Sequence, residues 1–345
     1  MTIHDIAKMA GVSVATVSRV INNKGYVKQE TRRRVEEVIR EQGYRPNAAA
    51  RSLICSDSSL IAVIMAERPY AFSSKVLEAI EEQAAKQGDS VLFYGTGAEP
   101  DKELKAISHA LEHRVKGILL LPVMDSSTEM IRMIREAESG NVPVVLLNWN
   151  LYREEMDSVL IDNKKVIYDG VRLLLDEGHR DIGFIACPEV VREGGQRRDG
   201  YMQCLKDFGI PFRREYVYDG AFDERSGYEA CSRFLALPKP PTAVLASCSS
   251  AILGCVRYCR EQGLGLGEDI GLVGFDDISL VESLGYPVTA LEHPARELGQ
   301  SACDLLYMRI AARGRSEIHR SIILGTRTIR RGSEHLGRRA AEQAV

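Results

Sequence analysis

At 345 residues, with 45% hydrophobic and 27% charged side chains, the chain is too long for one ordinary domain and too apolar to be disordered throughout. The formal net charge of -3 hides a division: residues 1–53 carry ten Lys or Arg against five Asp or Glu, and residues 54–345 carry 35 against 43. A small basic head on an acidic body points to one localised contact with a polyanion, most simply nucleic acid.

The head reads as helices in chain order. Thr2 and Asp5 have the spacing of a helix cap with a carboxylate reaching back, and Ile6, Ala7 and Ala10 follow at helical intervals, so a first helix is expected to run to about Ala10. Gly11 suits the positive φ that ends a helix, Val12 returns to the core, and Ser13 can accept the free amide hydrogens of the next helix. In helix two, Val17, Val20 and Ile21 recur at core spacing, which turns Val14, Ala15, Ser18, Arg19 and Asn22 outward. Thr31 is expected to open a third helix whose Val35, Val38 and Ile39 complete a small core, with Arg32, Arg33 and Arg34 outside and Gly43 closing it. The tight connection between the first two is that of a helix-turn-helix.

Residues 44–53, Tyr-Arg-Pro-Asn-Ala-Ala-Ala-Arg-Ser-Leu, favour helix but read by themselves as a linker. A helix this short is marginal in water, because nucleation costs more than a few hydrogen bonds return. From residue 60 the pattern changes to short apolar runs alternating with amphipathic helices: 60–65, helix 74–87, 90–94, helix 102–113, 117–121, helix 128–139 and 142–147. A second series follows, with helix 168–177, 181–186, helix 198–208, 243–246, helix 251–262 and 270–275. Two such series imply two doubly wound parallel-sheet lobes with a ligand cleft at the carboxyl ends of the strands.

Eight cysteines are scattered without framework spacing, which fits a reducing compartment. Cys255 and Cys259 sit four apart on an expected helix, but no His or carboxylate pair completes a ligand set, so these thiols read as small buried hydrophobes. The N-terminus lacks a basic stretch followed by an apolar core, and no apolar run reaches about 18 residues. The expectation is a soluble, cytoplasmic protein without membrane contact.

The run Asp-Ile-Ala-Lys-Met-Ala-Gly-Val-Ser-Val-Ala-Thr-Val-Ser-Arg-Val-Ile-Asn-Asn at 5–23 resembles the head of the lactose/galactose repressor (LacI/GalR) family of transcription regulators. Further matches run through the core: Val-Leu-Glu-Ala-Ile-Glu-Glu (76–82), Val-Lys-Gly-Ile-Leu-Leu-Leu-Pro (115–122), Glu-Gly-His-Arg-Asp-Ile-Gly-Phe-Ile (177–185) and Val-Gly-Phe-Asp-Asp (273–277). The resemblance implies an all-α helix-turn-helix head, a hinge helix, and an α/β core resembling type I periplasmic binding proteins. Its partners would be double-stranded operator DNA, a second copy in a homodimer, and a small-molecule effector.

On that resemblance Val14, Ala15 and Arg19 would read base edges in the major groove, where Arg pairs bidentately with guanine and small apolar groups meet a thymine methyl. Val14 has a second reading, packed against helix one. Thr2, Ser13, Thr16, Ser18, Asn22, Tyr26 and Thr31 would position the phosphate backbone. Asn47 would cap the hinge helix, Ala50 would permit close approach, and Leu53 would wedge into a central minor-groove step, or else pack at the core entrance. Effector contacts carried over are Phe72, Asn148, Trp149, Arg197, Phe222 and Asp276, with Cys248 and Ser249 standing where many sugar-sensing members have an Asn-Asp pair. Trp149 and Phe222 also have a core reading, and Arg197 and Asp276 an interlobe one.

The expected domains are the head at 1–45, hinge and linker at 46–58, and the core at 59–335, with a flexible tail at 336–345. Lobe one would take about 59–160 and 290–322, and lobe two about 161–289 and 323–335. Residues 325–345 hold one leucine, Leu336, and no heptad seam, so a dimer rather than a helix-bundled tetramer is expected. The favoured function is a dimeric repressor released from its operator by a small carbohydrate-like effector. Loss of the carboxylate acceptor at 248–249 keeps open a corepressor-dependent repressor with a planar, purine-like ligand. A secreted solute-binding protein would need a leader, where this N-terminus reads as a DNA-binding head instead. An enzyme lacks a motif, since Gly95-Thr96-Gly97 meets Pro100 where a third glycine would stand, and no cofactor, metal or catalytic residue is expected.

Overall fold

The computed structural model describes residues 1–21, 25–44, 58–65, 71–97, 99–122, 128–148, 156–188, 192–312 and 318–337. Two compact units divide the chain, Met1–Ser58 and Ser59–Val345.

In the first unit, α1 (Ile3–Ala10) opens on the expected reciprocal cap. The Thr2 amide donates to Asp5 Oδ2 at 2.8 Å and the Asp5 amide returns to Thr2 Oγ1 at 3.4 Å. Gly11 ends the helix at φ 62°, its amide donating to the Ala7 and Lys8 carbonyls. Helix α2 (Val14–Ile21) and helix α3 (Gln29–Glu41) close around Ile6, Val17 and Val35, which are fully buried and contribute roughly 1.5–3 kcal/mol each. Thr31 does not open α3. The helix begins two residues earlier, after Lys28, whose extended backbone starts the turn with no side-chain cap, and the half-buried Thr31 lies in the first turn.

The second unit contains two six-stranded sheets. The first runs β11-β5-β4-β3-β1-β2, from β1 (Leu60–Met65), β2 (Ser90–Gly95), β3 (Ile118–Leu121), β4 (Val144–Leu147), β5 (Asp157–Ile161) and β11 (Ser321–Leu324), with every pairing parallel. The second runs β12-β10-β9-β8-β6-β7, from β6 (Ile182–Ala186), β7 (Val217–Asp219), β8 (Ala243–Ala246), β9 (Gly271–Phe275), β10 (Thr289–Glu292) and β12 (Arg327–Ile329). Only β12 pairs antiparallel there. Both sheets repeat the order 2-1-3-4-5 of a doubly wound fold, which opens a crevice between the first and third strands of each repeat.

Alternation along β1 shows why its sequence is apolar without a break. Ile61, Val63 and Met65 enter one core with helices α4 (Ala71–Lys86) and α12 (Ala295–Ala312), while Ala62 and Ile64 enter another with α5 (Pro100–Glu112) and α6 (Thr128–Ser139). The second sheet is covered likewise, by α7 (Asn163–Asp176) and α8 (Arg192–Asp207) on one face and α9 (Glu224–Leu235) and α10 (Ser249–Gln262) on the other, with the short α11 (Ser279–Ser283) following β9. Backbones of α9 and α10 touch through glycine: a Cβ at Gly254 would stand 2.0 Å from the Glu224 carbonyl oxygen.

The chain changes sheet three times, after β5, after β10 and after β11. Two of these changes fall later than the expected 290 and 322. Thr289–Glu292 still pairs with β9, and Ser321–Leu324 still pairs with β5. Residues 338–345, where most of the expected tail falls, lie outside the described residues.

The segment after β12 is pinned to the second lobe by buried polar groups. Ser333 Oγ accepts from the Thr289 amide at 2.7 Å and donates to the Leu272 carbonyl at 2.6 Å. His179, from the Glu-Gly-His-Arg run, sits 2.8 Å from Thr242 Oγ1 and 3.1 Å from the Glu334 carbonyl, and burial lowers its pKa. Burial would raise the Glu334 carboxyl, but hydrogen bonds from the Thr289 hydroxyl, Arg330 and the Gly332 amide outweigh it and bring its pKa down to about 2. A depressed folded-state pKa contributes stability that is present above the unfolded value and lost as pH falls through the folded one. Unfolding free energy of the parent should therefore drop between about pH 4.5 and 2 more steeply than that of Glu334→Gln, measured by urea melts at several pH values. Parallel slopes for the two chains would refute this role.

Among the described residues no helix is long and apolar enough to cross a membrane.

Candidate functional site

Two surfaces collect the expected functional residues. On the head, Ser13 Oγ accepts from the Thr16 amide at 3.2 Å and lies 2.9 Å from Thr16 Oγ1, so this pair caps α2 at its exposed start. Ala15 and Arg19 are exposed on the next turns, and the ring of Tyr26 is 87% exposed. Gly25, at φ 74°, leaves room beside the Arg19 stem: a Cβ there would lie 3.7 Å from Arg19 Cδ. Val14 is half-buried, with part of its side chain packed on the head core and part left at the surface. Ser18 and Thr31 are half-buried. The Thr2 hydroxyl donates to Asp5 Oδ2 at 2.9 Å, and these Thr2 bonds hold the Asp5 carboxyl below its ordinary range. Asn22, Asn47, Ala50 and Leu53 lie outside the described residues.

The second surface is built at the carboxyl ends of the strands of both lobes, where the doubly wound order places its crevice. Phe72, in the first turn of α4, faces Ser249 at the start of α10 and Asp276 and His293 beyond β9 and β10, around a narrow open cleft with a free volume of about 20 Å³ that Lys75 and Glu292 also line. Asp276 holds a left-handed backbone, φ 79°, with its amide donating to the Leu291 carbonyl at 3.0 Å. Such a conformation costs a non-glycine residue about 1–3 kcal/mol and aims the carboxylate into the cleft mouth. Asp276 Oδ1 stands 2.5 Å from His293 Nδ1 and pairs with that ring. The ring of the buried His293 meets Phe275 edge-on at 4.1 Å and Phe72 at 4.9 Å, and its Nε2 has no hydrogen-bond partner among the described residues.

Arg197 lies deeper. Its Nε donates to Asn163 Oδ1 at 2.9 Å, its Nη1 to the Ser247 carbonyl at 2.7 Å, and its guanidinium covers the Phe275 ring at 3.8 Å. Two nitrogens of its fork are therefore committed to joining the start of α7 to the end of β8, and neither bond uses Nη2. Asn148, at φ 48°, accepts from the Ile161 amide at 3.3 Å and closes the end of β4 onto β5. Cys248 is buried just before α10.

Of the eight expected effector residues, the structure brings Phe72, Ser249 and Asp276 to one cleft, with Arg197 buried against Phe275, Cys248 buried one residue before Ser249, and Asn148 beside a neighbouring strand end. Phe222 is 43% exposed beyond β7, at the sheet edge, and does not line that cleft. Trp149 lies outside the described residues. His293, Asn163 and Phe275 escaped the sequence reading, although Phe275 stands inside the quoted Val-Gly-Phe-Asp-Asp run. Elsewhere Glu177, Glu334 and His335 place ligand atoms close together, but Arg330 and the Thr289 hydroxyl already saturate this trio as an ion-pair network.

A helix-turn-helix head followed by a two-lobed α/β core of binding-protein type defines the class of DNA-binding regulators. Residues 2–47 match the bacterial regulatory proteins of the lacI family, and residues 58–330 match the periplasmic binding proteins and sugar binding domain of that family. The HTH-type transcriptional repressor PurR of Mannheimia succiniciproducens is 30% identical over 329 residues, covering 94% of this chain and 97% of its own. PurR of Actinobacillus pleuropneumoniae serotype 3 is 31% identical over 310 residues, or 90% and 91%. Among solved structures, the lac repressor dimer bound to operator and the anti-inducer ONPF superposes with a TM-score of 0.85 at 28% identity, over 97% of this chain and 99% of that one. The regulator CelR in complex with cellobiose gives 0.71 at 27%, over 96% and 99%. The chain belongs to the LacI family: it is a DNA-binding transcriptional repressor, not an enzyme.

Proposed function

We propose that this repressor works in the cytoplasm as a homodimer on a pseudo-palindromic operator, and that a small planar effector in the interlobe cleft acts as its corepressor. The convergence of Phe72, Ser249, Asp276 and His293 on one cleft carries the effector reading. Aromatic faces at Phe72 and His293 suit a flat ring, and the Asp276 carboxylate suits a ring N–H donor. Cys248 and Ser249 supply no carboxylate for a cluster of sugar hydroxyls. The relatives named PurR support a purine-like compound. A sugar derivative that releases the operator is the second reading, favoured by the same Asp276 acceptor and by the likeness to CelR with cellobiose.

Two-fold symmetry of a dimer would mirror that of the half-sites. Val14, Ala15 and Arg19 would meet base edges, with Thr2, Ser13, Thr16, Ser18, Asn22, Tyr26 and Thr31 on the backbone. Asn47, Ala50 and Leu53 would form the minor-groove hinge. The likeness to a lac repressor dimer solved on its operator supports this arrangement.

A thermal-shift screen of the full chain against purine bases, sugars, sugar phosphates and sugar acids tests the effector. A purine base at 100 times its Kd should stabilise the core by about 2.7 kcal/mol. Asp276→Asn should abolish that shift, and operator affinity should rise on adding the base. A shift with sugars alone, with falling operator affinity, would install the second reading.

A further inference from the structure

Cys187 and Cys248 stand just past the ends of β6 and β8, the two strands that flank the crevice of the second sheet. Their pairing runs Phe184↔Leu245 and Ile185↔Ala246, and the Ser247 amide extends it by donating to the Ile185 carbonyl at 3.1 Å. Continued by two residues, this register sets Cys187 directly opposite Cys248. Adjacent strands lie about 4.8 Å apart, and a disulfide requires Cα atoms about 4.4–6.8 Å apart. Both side chains enter one buried cluster together with Ile185 and Ala246, which the two-residue alternation of a strand demands.

Their surroundings differ from those of the other described thiols. Cys187 Sγ lies 3.2 Å from Ser247 Oγ and 3.8 Å from the Arg197 guanidinium. Burial opposes a thiolate there, but contact with Cys248 and the Arg197 charge outweigh it and lower the Cys187 pKa, while the same contact and burial raise Cys248. Burial pushes Cys204 and Cys303 up to about 12. Cys231 and Cys259, packed between α9 and α10, are also raised, each by its thiol neighbour and by burial.

We propose that Cys187 and Cys248 are a hydrogen-peroxide-responsive thiol pair that closes to a disulfide across the carboxyl ends of β6 and β8. Cys187 thiolate attacks one peroxide oxygen, the O–O bond breaks, and the departing oxygen leaves as water with the proton lost by Cys187. Cys248 then attacks the resulting sulfenic sulfur, the S–O bond breaks, and the hydroxide takes the Cys248 proton as a second water. Two thiols lose two electrons to one peroxide. The bond would draw the segment before Ser249 toward β6 and replace the thiol beside Arg197 with an uncharged disulfide sulfur. That consequence for effector binding rests on the effector reading above, whereas formation of the bond does not.

The test exposes the reduced full-length chain to hydrogen peroxide, alkylates it under denaturing conditions and maps the peptides by mass. A Cys187–Cys248 linked peptide is expected to form about tenfold faster than any product at Cys204, Cys231, Cys255, Cys259 or Cys303, and dithiothreitol should reverse it. Cys248→Ser should instead leave a Cys187 sulfenic acid that dimedone traps, and Arg197→Met should slow the oxidation about tenfold. Full alkylation of Cys187 and Cys248 at doses that oxidise the other thiols would overturn the proposal. So would a linked peptide that forms no faster than one joining Cys231 to Cys255. The wild-type map decides the matter even if either variant fails to fold. Effector shifts measured before and after oxidation report the functional consequence separately.

Discussion

Arg309→Met is expected to lower the melting temperature of the core by on the order of 10 °C, the largest single effect on stability foreseen for this chain. Arg309, on α12, and Asp157, at the start of β5, are both nearly buried, and they meet through Nε–Oδ2 at 2.6 Å and Nη2–Oδ1 at 2.7 Å. Asp157 also accepts from the Arg320 amide at 2.8 Å, and Arg309 donates to the Ile318 carbonyl, so the pair ties β5, α12 and the approach to β11 together. Removing only the cation leaves a carboxylate in a low-dielectric site with one amide for a partner, at a cost of about 3–5 kcal/mol. The double change Arg309→Met with Asp157→Leu should recover most of that loss, because no charge then stays buried without a partner. Calorimetric melts of the parent, both single variants and the double variant measure the coupling. Additive losses would mean that the pair does not act as a unit.

Arg19→Ala should cost operator binding about 1–3 kcal/mol, roughly 5- to 150-fold in Kd, and relax base choice at one position of each half-site. The prediction follows from an exposed guanidinium on the last turn of α2, with its stem beside Gly25, together with the base-reading role proposed above. Thr31→Ala, at a proposed backbone contact, should weaken cognate and random DNA by the same factor. Competition binding at fixed salt compares the two, since salt alone moves such affinities by orders of magnitude. Equal losses on cognate and random DNA for Arg19→Ala would remove Arg19 from base reading.

Much of the head was legible because its signals are local. Thr2 with Asp5, Gly11 and Ser13 each act within one helical turn, and the structure shows each bond that their spacing predicts. Thr31 misled because a hydroxyl is only a preference at a helix start, and the chain begins α3 at Lys28 without one. In the core, strands β1, β3, β4, β6, β8 and β9 stood out as apolar runs because helices cover both of their faces, and the half-exposed edge strand β2 was found by its Val-Leu-Phe-Tyr run. Strands β7 and β12, at three residues each, are too short to show a period. Helix α9 contains Ser226 and Gly227, and α12 buries residues around most of its circumference, so neither displays a clean stripe. The cleft divides the same way. Asp276 was found through the Val-Gly-Phe-Asp-Asp run, whereas nothing in Leu-Glu-His-Pro announces that His293 turns inward against Phe72.

The amino-acid sequence by itself determined the helix-turn-helix, the family and the alternation that makes two doubly wound lobes, because periodicity, capping and contiguous motifs are properties of neighbouring residues. Tertiary structure decided which residues share the cleft. Asn163, Arg197, Ser247 and Phe275 meet because strand order carries the ends of β8 and β9 to the early turns of α7 and α8. It also decided that Arg197 is largely spent on holding the lobe together and that Cys187 faces Cys248 across a strand pair. Separations of dozens of residues carry no period to read, and only closure of the sheet brings such groups within bonding distance.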